Sequence, residues 1–110
     1  MANAFKNAVT ASIGTSNVDI YTAPASTTTT VIGMTVSNRT ASVINVDVSV
    51  TDTSSGTTAF LIKSAPIPVG GSLVAVGGDQ KVVLETTDKV TVVSDTATSA
   101  DVVVSVLEQS

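Results

Sequence analysis

Alternating apolar and polar residues run through most of the chain and predict β-strands. The clearest run is 42–51, in which one face carries aliphatic side chains and the other polar ones. This period of two is typical of a strand with one buried face. The run 28–37 shows the same pattern, with Ile32, Met34 and Val36 predicted to point inward. Because the link 38–41 is short and polar, the two runs are predicted to form an antiparallel hairpin.

Shorter runs of the same kind are separated by turns rich in glycine, proline and Asp/Ser/Thr. They lie at 17–22, 57–64, 72–76, 81–85, 89–94 and 100–108. Phe60 and Ile62 are predicted inward in 57–64, and Val102, Val104 and Val106 share one side of the last strand. No segment shows helical periodicity. Strands at intervals of roughly 8–12 residues predict an all-β fold, a single antiparallel β-sandwich, Ig-like or jelly-roll-like, of seven to nine short strands.

The first 16 residues are less regular than the remainder of the chain. Residues 1–16 are interpreted as an N-terminal arm or a weak first strand, and 17–110 as the β-sandwich domain. The segment 2–16 is rich in small residues, so we expect it to act as one contact element that becomes ordered on docking.

Composition supports the β prediction and adds a question about the surface. Valine, isoleucine and threonine are abundant in these 110 residues, and β-branched side chains fit a pleated surface. Several apolar residues fall on predicted outward positions, namely Val31, Val43, Leu61, Val83, Val93, Val103 and Leu107. Two interpretations stay open: these residues cover the second face of the sandwich or pack under loops, or they form an oligomer or docking surface.

Charge limits the classes of partner. The net charge is −4, charged residues make up 13% of the chain, and the five basic residues are scattered. Nucleic-acid binding needs clustered Lys and Arg, so no nucleic-acid partner is expected. The N-terminus lacks the apolar core of a secretory signal, and no apolar run approaches the length of a membrane span. We therefore expect no membrane association.

The residues for common active sites are scarce. The chain has no histidine and no cysteine, which removes Ser-His-Asp and Cys-His nucleophiles and most zinc and iron sites. Candidate acid–base carboxylates fall at turns, where Asp usually bonds its own backbone, at Asp79, Glu85, Asp88, Asp95 and Asp101. The segment 52–56 is the nearest match to a calcium loop but lacks the pattern, so a plain turn is favoured. We predict no catalytic, cofactor or metal residues, no cofactor and no enzymatic activity.

Several segments together resemble small structural proteins from the virions of tailed bacteriophages. The resemblance covers most of the chain from Asn17 onward and is carried by the segments 19–24, 28–38, 65–73, 81–90 and 100–108. It is a pattern of strands and turns without a catalytic signature. The resemblance implies a β-sandwich that decorates or cements a capsid, or that lies at the neck or tail.

The function implied by the resemblance is that of a capsid decoration or cement protein. It would bind the major capsid protein or other virion proteins and stabilise the head, as a homo-oligomer, a trimer or dimer. Its location would be the virion, assembled in the host cytoplasm. A neck, tail or fibre component is the first alternative. A ligand- or glycan-binding β-sandwich is the second, although three aromatic residues offer little stacking surface.

Overall fold

A computed structural model describes residues 2–110 as nine β-strands in two antiparallel sheets. The strands are β1 (Asn3–Ile13), β2 (Val18–Thr22), β3 (Thr28–Asn38), β4 (Ile44–Asp52), β5 (Thr57–Ile67), β6 (Ser72–Val76), β7 (Val82–Leu84), β8 (Lys89–Ser94) and β9 (Ala100–Gln109). Within this range the structure contains no helix long and apolar enough to cross a membrane.

The two sheets are connected in the order of a jelly roll. The five-stranded sheet runs β1-β9-β3-β6, with β7 also paired to β3, and the four-stranded sheet runs β2-β8-β4-β5. Because β1 and β2 lie in different sheets, the chain crosses the sandwich where an Ig-like fold would keep its first strands together. The predicted all-β sandwich is therefore confirmed, in its jelly-roll form.

The core consists mainly of aliphatic side chains between the sheets. Val102, Val104 and Val106 on β9 are at most 1% exposed, and Val46 and Val48 of β4 face them from the other sheet. The predicted inward faces of these two strands are thus confirmed. Two apolar layers that shield each other from water are the main stabilising feature of such a sandwich.

The predicted hairpin between the runs 28–37 and 42–51 is wrong, because β3 and β4 belong to different sheets. Residues 39–43 carry the chain around the end of the sandwich. The buried side chain of Asn38 holds this corner, because its amide donates to the carbonyls of Ser42 at 2.7 Å and Ile67 at 3.0 Å. The alternation of apolar and polar residues shows which face of a strand is buried. It does not distinguish a hairpin from a crossing to the opposite sheet, because the same face is buried in both.

A β-bulge in β3 reverses two sequence predictions. Val31 pairs with Val106 and Gly33 pairs with Ser105, so Ile32 is an extra residue on β3. Val31 was predicted outward and is 1% exposed, whereas Ile32 was predicted inward and lies beside Phe5 in a shallow depression of the outer surface. An extra residue shifts the alternation by one position, which period-two analysis does not detect.

A second bulge lies in β5 and moves Phe60 to the surface. Phe60 pairs with Ser49 and Ile62 with Val48, so Leu61 is the additional residue. Phe60 was predicted inward but is 53% exposed, and the Nζ atom of Lys63 lies 4.5 Å from its ring centre. Ile62 packs against the core as predicted. β5 is an edge strand, which is the position that a strand containing Pro66 can occupy.

The first 16 residues contain a full-length strand. β1 pairs with β9 from Asn3 opposite Gln109 to Thr10 opposite Val102, and the register shifts only before Ile13. Of the two alternatives for this segment, the structure has the strand. A role of residues 2–16 in docking stays a prediction.

Candidate interaction surface

Apolar side chains are concentrated on the outer side of the five-stranded sheet. Directly paired residues point to the same side of a sheet, so the register defines two transverse rows. One row runs Phe5, Leu107, Thr30, Val83, and the other runs Val9, Val103, Thr35, Val74. We call the six apolar residues of these rows the apolar face: Phe5, Val9, Val74, Val83, Val103 and Leu107. Five of them are 49–77% exposed.

The apolar face is broad and nearly free of charge. It crosses four strands, about 14 Å, and extends about 13 Å along β9. Among the outward register positions of the described strands in this sheet, only Asp101 carries a charge, and it lies at one end. The row Asn7, Ser105 and Gly33 lies between the two apolar rows. Exposed apolar side chains grouped on one nearly uncharged face make that face the candidate contact surface. Val83, Val103 and Leu107 point outward as the sequence predicted.

The opposite surface of the sandwich has a different character. On the four-stranded sheet, Lys63 lies 3.2 Å from Asp47, and Lys89 lies 3.3 Å from Asp19. A depression of about 290 Å³ that includes Asp47 of the first pair is lined by Asn45, Asp47, Ser64, Val93, Ser94 and Asp95. Charged and amide groups keep this face hydrated. The two outer faces therefore differ: the five-stranded sheet carries the six residues of the apolar face, whereas the four-stranded sheet carries two ion pairs beside its outward Phe60 and Val93.

Three acidic side chains come together at one corner of the described chain. Carboxylate oxygens of Asp52, Glu85 and Asp88 lie within 4.8 Å of one another. The Asp88 carboxylate is buried, and it accepts the N–H groups of Thr53 at 3.1 Å and Glu85 at 3.0 Å. Asp52 accepts the N–H of Ser54 at 3.1 Å, so the segment 52–56 forms a turn that its own aspartate closes. The Asp88 carboxylate therefore links the turn after β4 to the turn after β7.

The other acidic candidates are not part of that group. Asp95 accepts the N–H and the side-chain amide of Asn45, and these hydrogen bonds hold the pKa of Asp95 below its usual value. Asp101 accepts the N–H of Ser12 at 3.0 Å. Asp79 is exposed in the turn between β6 and β7. Each position is at a turn or strand end, and the carboxylates of Asp95 and Asp101 there accept hydrogen bonds from nearby donors.

A partly buried polar cluster, which the sequence pattern did not predict, ties four strands together. The phenol of Tyr21 donates to Glu108 at 2.5 Å and hydrogen-bonds the hydroxyl of Thr29 at 2.9 Å, while Lys6 lies 2.8 Å from Glu108. The lysine and the phenol together hold the pKa of Glu108 below its usual value. The alternation of β9 does place Glu108 on the inner side, because it continues the inward series of Val102, Val104 and Val106.

Tyr21 provides a spectroscopic test of this cluster. Burial and the neighbouring Glu108 raise its pKa from 10.0 to about 12. Tyr21 is the only tyrosine and the chain has no tryptophan, so an ultraviolet absorbance titration reports this phenol alone. We expect a midpoint near 12, and a lower one in Glu108→Gln that stays above 10.0 because burial remains. Since the protonated phenol is favoured in the fold, its stabilisation is complete below pH 10.0 and disappears as the pH rises through about 12. A midpoint near 10.0 in the folded protein would contradict the cluster.

Comparison with known proteins gives structural likeness alone. No protein-family model and no curated protein matches the chain. Among solved structures, it is similar to a chain in the acid-stable capsid of the Helicobacter pylori bacteriophage KHP30, with a TM-score of 0.53 and 11% identity over 98% of this chain and 87% of that one. It is also similar to a chain of the disulfide-linked pili of Bacillus endospores, with a TM-score of 0.51 and 12% identity over 98% and 88%.

A third likeness is weaker. A chain of the infectious bursal disease virus Gx strain gives a TM-score of 0.47 with 9% identity, over 96% of this chain and 28% of that one. The TM-scores above 0.5 show a shared fold with the first two structures, and identities this low show nothing further. This chain therefore has the β-sandwich architecture that also occurs in chains of a phage capsid and of a bacterial appendage.

Proposed function

We propose that this chain is a non-enzymatic structural protein of a phage virion, a decoration or cement protein that binds the major capsid protein lattice through the apolar face. The observation that carries the proposal is the difference between the two sheets: one outer face carries six apolar side chains with a single charge at its end, and the other carries two ion pairs. A domain that functions by binding other proteins needs such a face, because burying apolar area is the main favourable contribution to association.

The fold likeness supports a role in an assembly. Two solved structures with TM-scores above 0.5 come from a phage capsid and from pili. The disulfide linkage of those pili does not transfer, because this chain has no cysteine. Assembly of this chain relies on noncovalent contacts, for which the apolar face is the most exposed apolar area described. The proposed location is the virion.

A matched pair of lysine substitutions tests the docking face. Val103 is central on the apolar face, and Val93 is an outward valine at the centre of the four-stranded sheet. In virions of a phage that carries each variant gene, we expect Val103→Lys to lower the copies per particle about tenfold, because burial of one valine contributes roughly 1.5–3 kcal/mol. Val93→Lys should leave the copy number unchanged. Quantitative mass spectrometry of purified particles measures both.

Two outcomes of that experiment would reject the proposal. The first is equal occupancy of Val103→Lys and Val93→Lys particles, with both proteins folded by circular dichroism. The second is a parent copy number in the tens or fewer, because a decoration protein occupies a capsid in the hundreds whereas a neck, tail or fibre component does not. Loss of Val103→Lys from the head should also lower the temperature at which the particle releases its DNA.

A further inference from the structure

The outer edge of β1 carries unpaired backbone groups. Ala2 and Ser110 exchange two backbone hydrogen bonds, at 2.7 and 2.9 Å. The register continues unbroken to Thr10 opposite Val102, so even-numbered residues of β1 bond to β9. The odd-numbered residues Asn3, Phe5, Asn7 and Val9 therefore direct their N–H and C=O groups away from β9. In the described part of the chain, β1 pairs with no strand on that side.

This edge lacks the features that block edge strands elsewhere in the fold. The long edge strand of the other sheet, β5, has Pro66 and a left-handed Ser64 at a φ of 51°. Proline, lysine and irregular backbone are the common means of preventing strand addition. Between Asn3 and Thr10, β1 has no proline and no bulge. Its only charged residue in that range is Lys6, which pairs with Glu108 and is 57% exposed, much as Lys63 on β5 pairs with Asp47 and is 61% exposed. The two edges therefore differ in proline and backbone regularity and not in charge.

We propose that a second copy of this chain binds at this edge, with the two β1 strands antiparallel about a twofold axis at Asn7. Each odd-numbered residue then meets an odd-numbered residue: Asn7 opposite Asn7 of the other copy, and Phe5 opposite Val9. Because the axis is twofold, the Phe5–Val9 pair occurs twice, which gives three pairs in all. They form about six backbone hydrogen bonds, two for each pair. Aromatic and β-branched side chains directly opposite each other are favourable cross-strand pairs, and two Asn amides can hydrogen-bond each other.

The inner side of the two strands is compatible with this register. Lys6 lies opposite Ala8, and Ala4 lies opposite Thr10, so no like charges are directly opposed. The two Lys6 side chains are diagonal neighbours, and each one is neutralised by its own Glu108. Each chain has a net charge of −4, so association is favoured at an edge without unpaired acidic groups, such as this one.

Self-association explains the open edge better than a foreign segment does. A twofold contact uses both free edges at once and closes, whereas an edge left free is a template for open-ended aggregation. The remaining edges are β2, β6 and β7, of three to five residues each, and the blocked β5. Pairing at β1 also joins the two five-stranded sheets, so that the apolar faces of both copies become continuous. The pairing does not depend on what the apolar face binds.

The oligomeric state of the full chain is the first test. We expect sedimentation analysis over a concentration series to show a monomer–dimer equilibrium. Asn7→Pro removes the central N–H of the free edge without removing a bond to β9, and it should weaken dimerisation at least about tenfold. A parent chain that is monomeric at every concentration would overturn the proposal.

Cysteine cross-linking tests the twofold axis, since the natural chain has no cysteine. In the proposed dimer, Asn7→Cys places two cysteines directly opposite at about 5.5 Å between Cα atoms, a separation that a disulfide spans. The control Asn3→Cys lies on the same strand and face, but its two copies are about 26 Å apart. Rapid oxidation to a covalent dimer is expected for Asn7→Cys alone. Equal rates for both variants would reject the axis.

Charge substitutions test the register. Phe5→Lys and Val9→Glu should each weaken the dimer about tenfold, because each places two unpaired charges in an apolar contact. Combined in one chain, they put Lys opposite Glu at both symmetric positions, and dimerisation should recover to within a fewfold of the parent. A double variant weaker than either single variant, with its circular dichroism spectrum intact, would exclude this register.

Discussion

Replacing Asn38 with alanine is expected to lower the free energy of unfolding by about 3 kcal/mol. Asn38 is 6% exposed, and its amide donates to the carbonyls of Ser42 and Ile67. Its Oδ1 atom accepts the N–H and the hydroxyl of Thr40, both at 2.8 Å. Alanine leaves buried donors and acceptors without partners, which costs about 1–3 kcal/mol for each group. Urea denaturation followed by circular dichroism measures the change.

Asn45→Ala is the control for the corner formed by Asn38. Asn45 also donates through its amide, to Asp95 at 3.0 Å, but it is exposed. Water can replace that partner, so we expect a loss below about 1 kcal/mol. Similar losses for both variants would show that the corner does not depend on the buried amide. The Asn38 result also tests the crossing between the sheets, because a β3–β4 hairpin would leave Asn38 in an exposed turn.

Val104→Ala is expected to destabilise the protein by about 2–3 kcal/mol, from the lost burial of two methyl groups and the cavity that remains. Val104 is on β9, the strand between β1 and β3, and its side chain is 0% exposed. Because the aliphatic layers are closely packed, neighbouring strands do not move far enough to fill the space. Chemical denaturation gives the value directly.

Val103→Ala is the matched control, because it makes the same change one position earlier on the same strand. Val103 is 49% exposed on the apolar face. The loss of β-propensity is similar for both variants, so their difference isolates burial. We expect a change within about 0.5 kcal/mol for Val103→Ala. A loss as large as that of Val104→Ala would mean that Val103 contributes to the fold, and that its exposure does not mark a binding surface.

The candidate surface was predictable in part. Val83, Val103 and Leu107 were identified as outward apolar residues, since they fall between inward or turn positions of their strands. Phe5, Val9 and Val74 were not, although they complete the same two rows. Their inclusion depends on which strands are adjacent. Alternation assigns a residue to one of two faces, whereas a surface is formed by strands that are distant in sequence.

In the interior too, the sequence predicts the face on which a residue lies but not its partners. Glu108 lies on the predicted inward side of β9, but its partners Tyr21 and Lys6 are 87 and 102 positions away in the sequence. Only the topology, with β1 beside β9 and β2 across the sandwich, brings them together. The acidic corner also depends on the topology, because Asp52 and Asp88 belong to turns that are far apart in the sequence.

The sequence by itself determined the class of this protein: β-branched residues in period two, divided by turns, form strands that bury one face, and an absence of histidine and cysteine removes whole reaction classes. The tertiary structure decided which sheet each strand joins, the bulges at Ile32 and Leu61, and the collection of apolar residues on one outer face. The physical reason is that periodicity is a property of one strand with its own neighbours. Sheet membership, register and exposed patches come from long-range pairing, for which a Val/Thr-rich strand has nearly equivalent local choices.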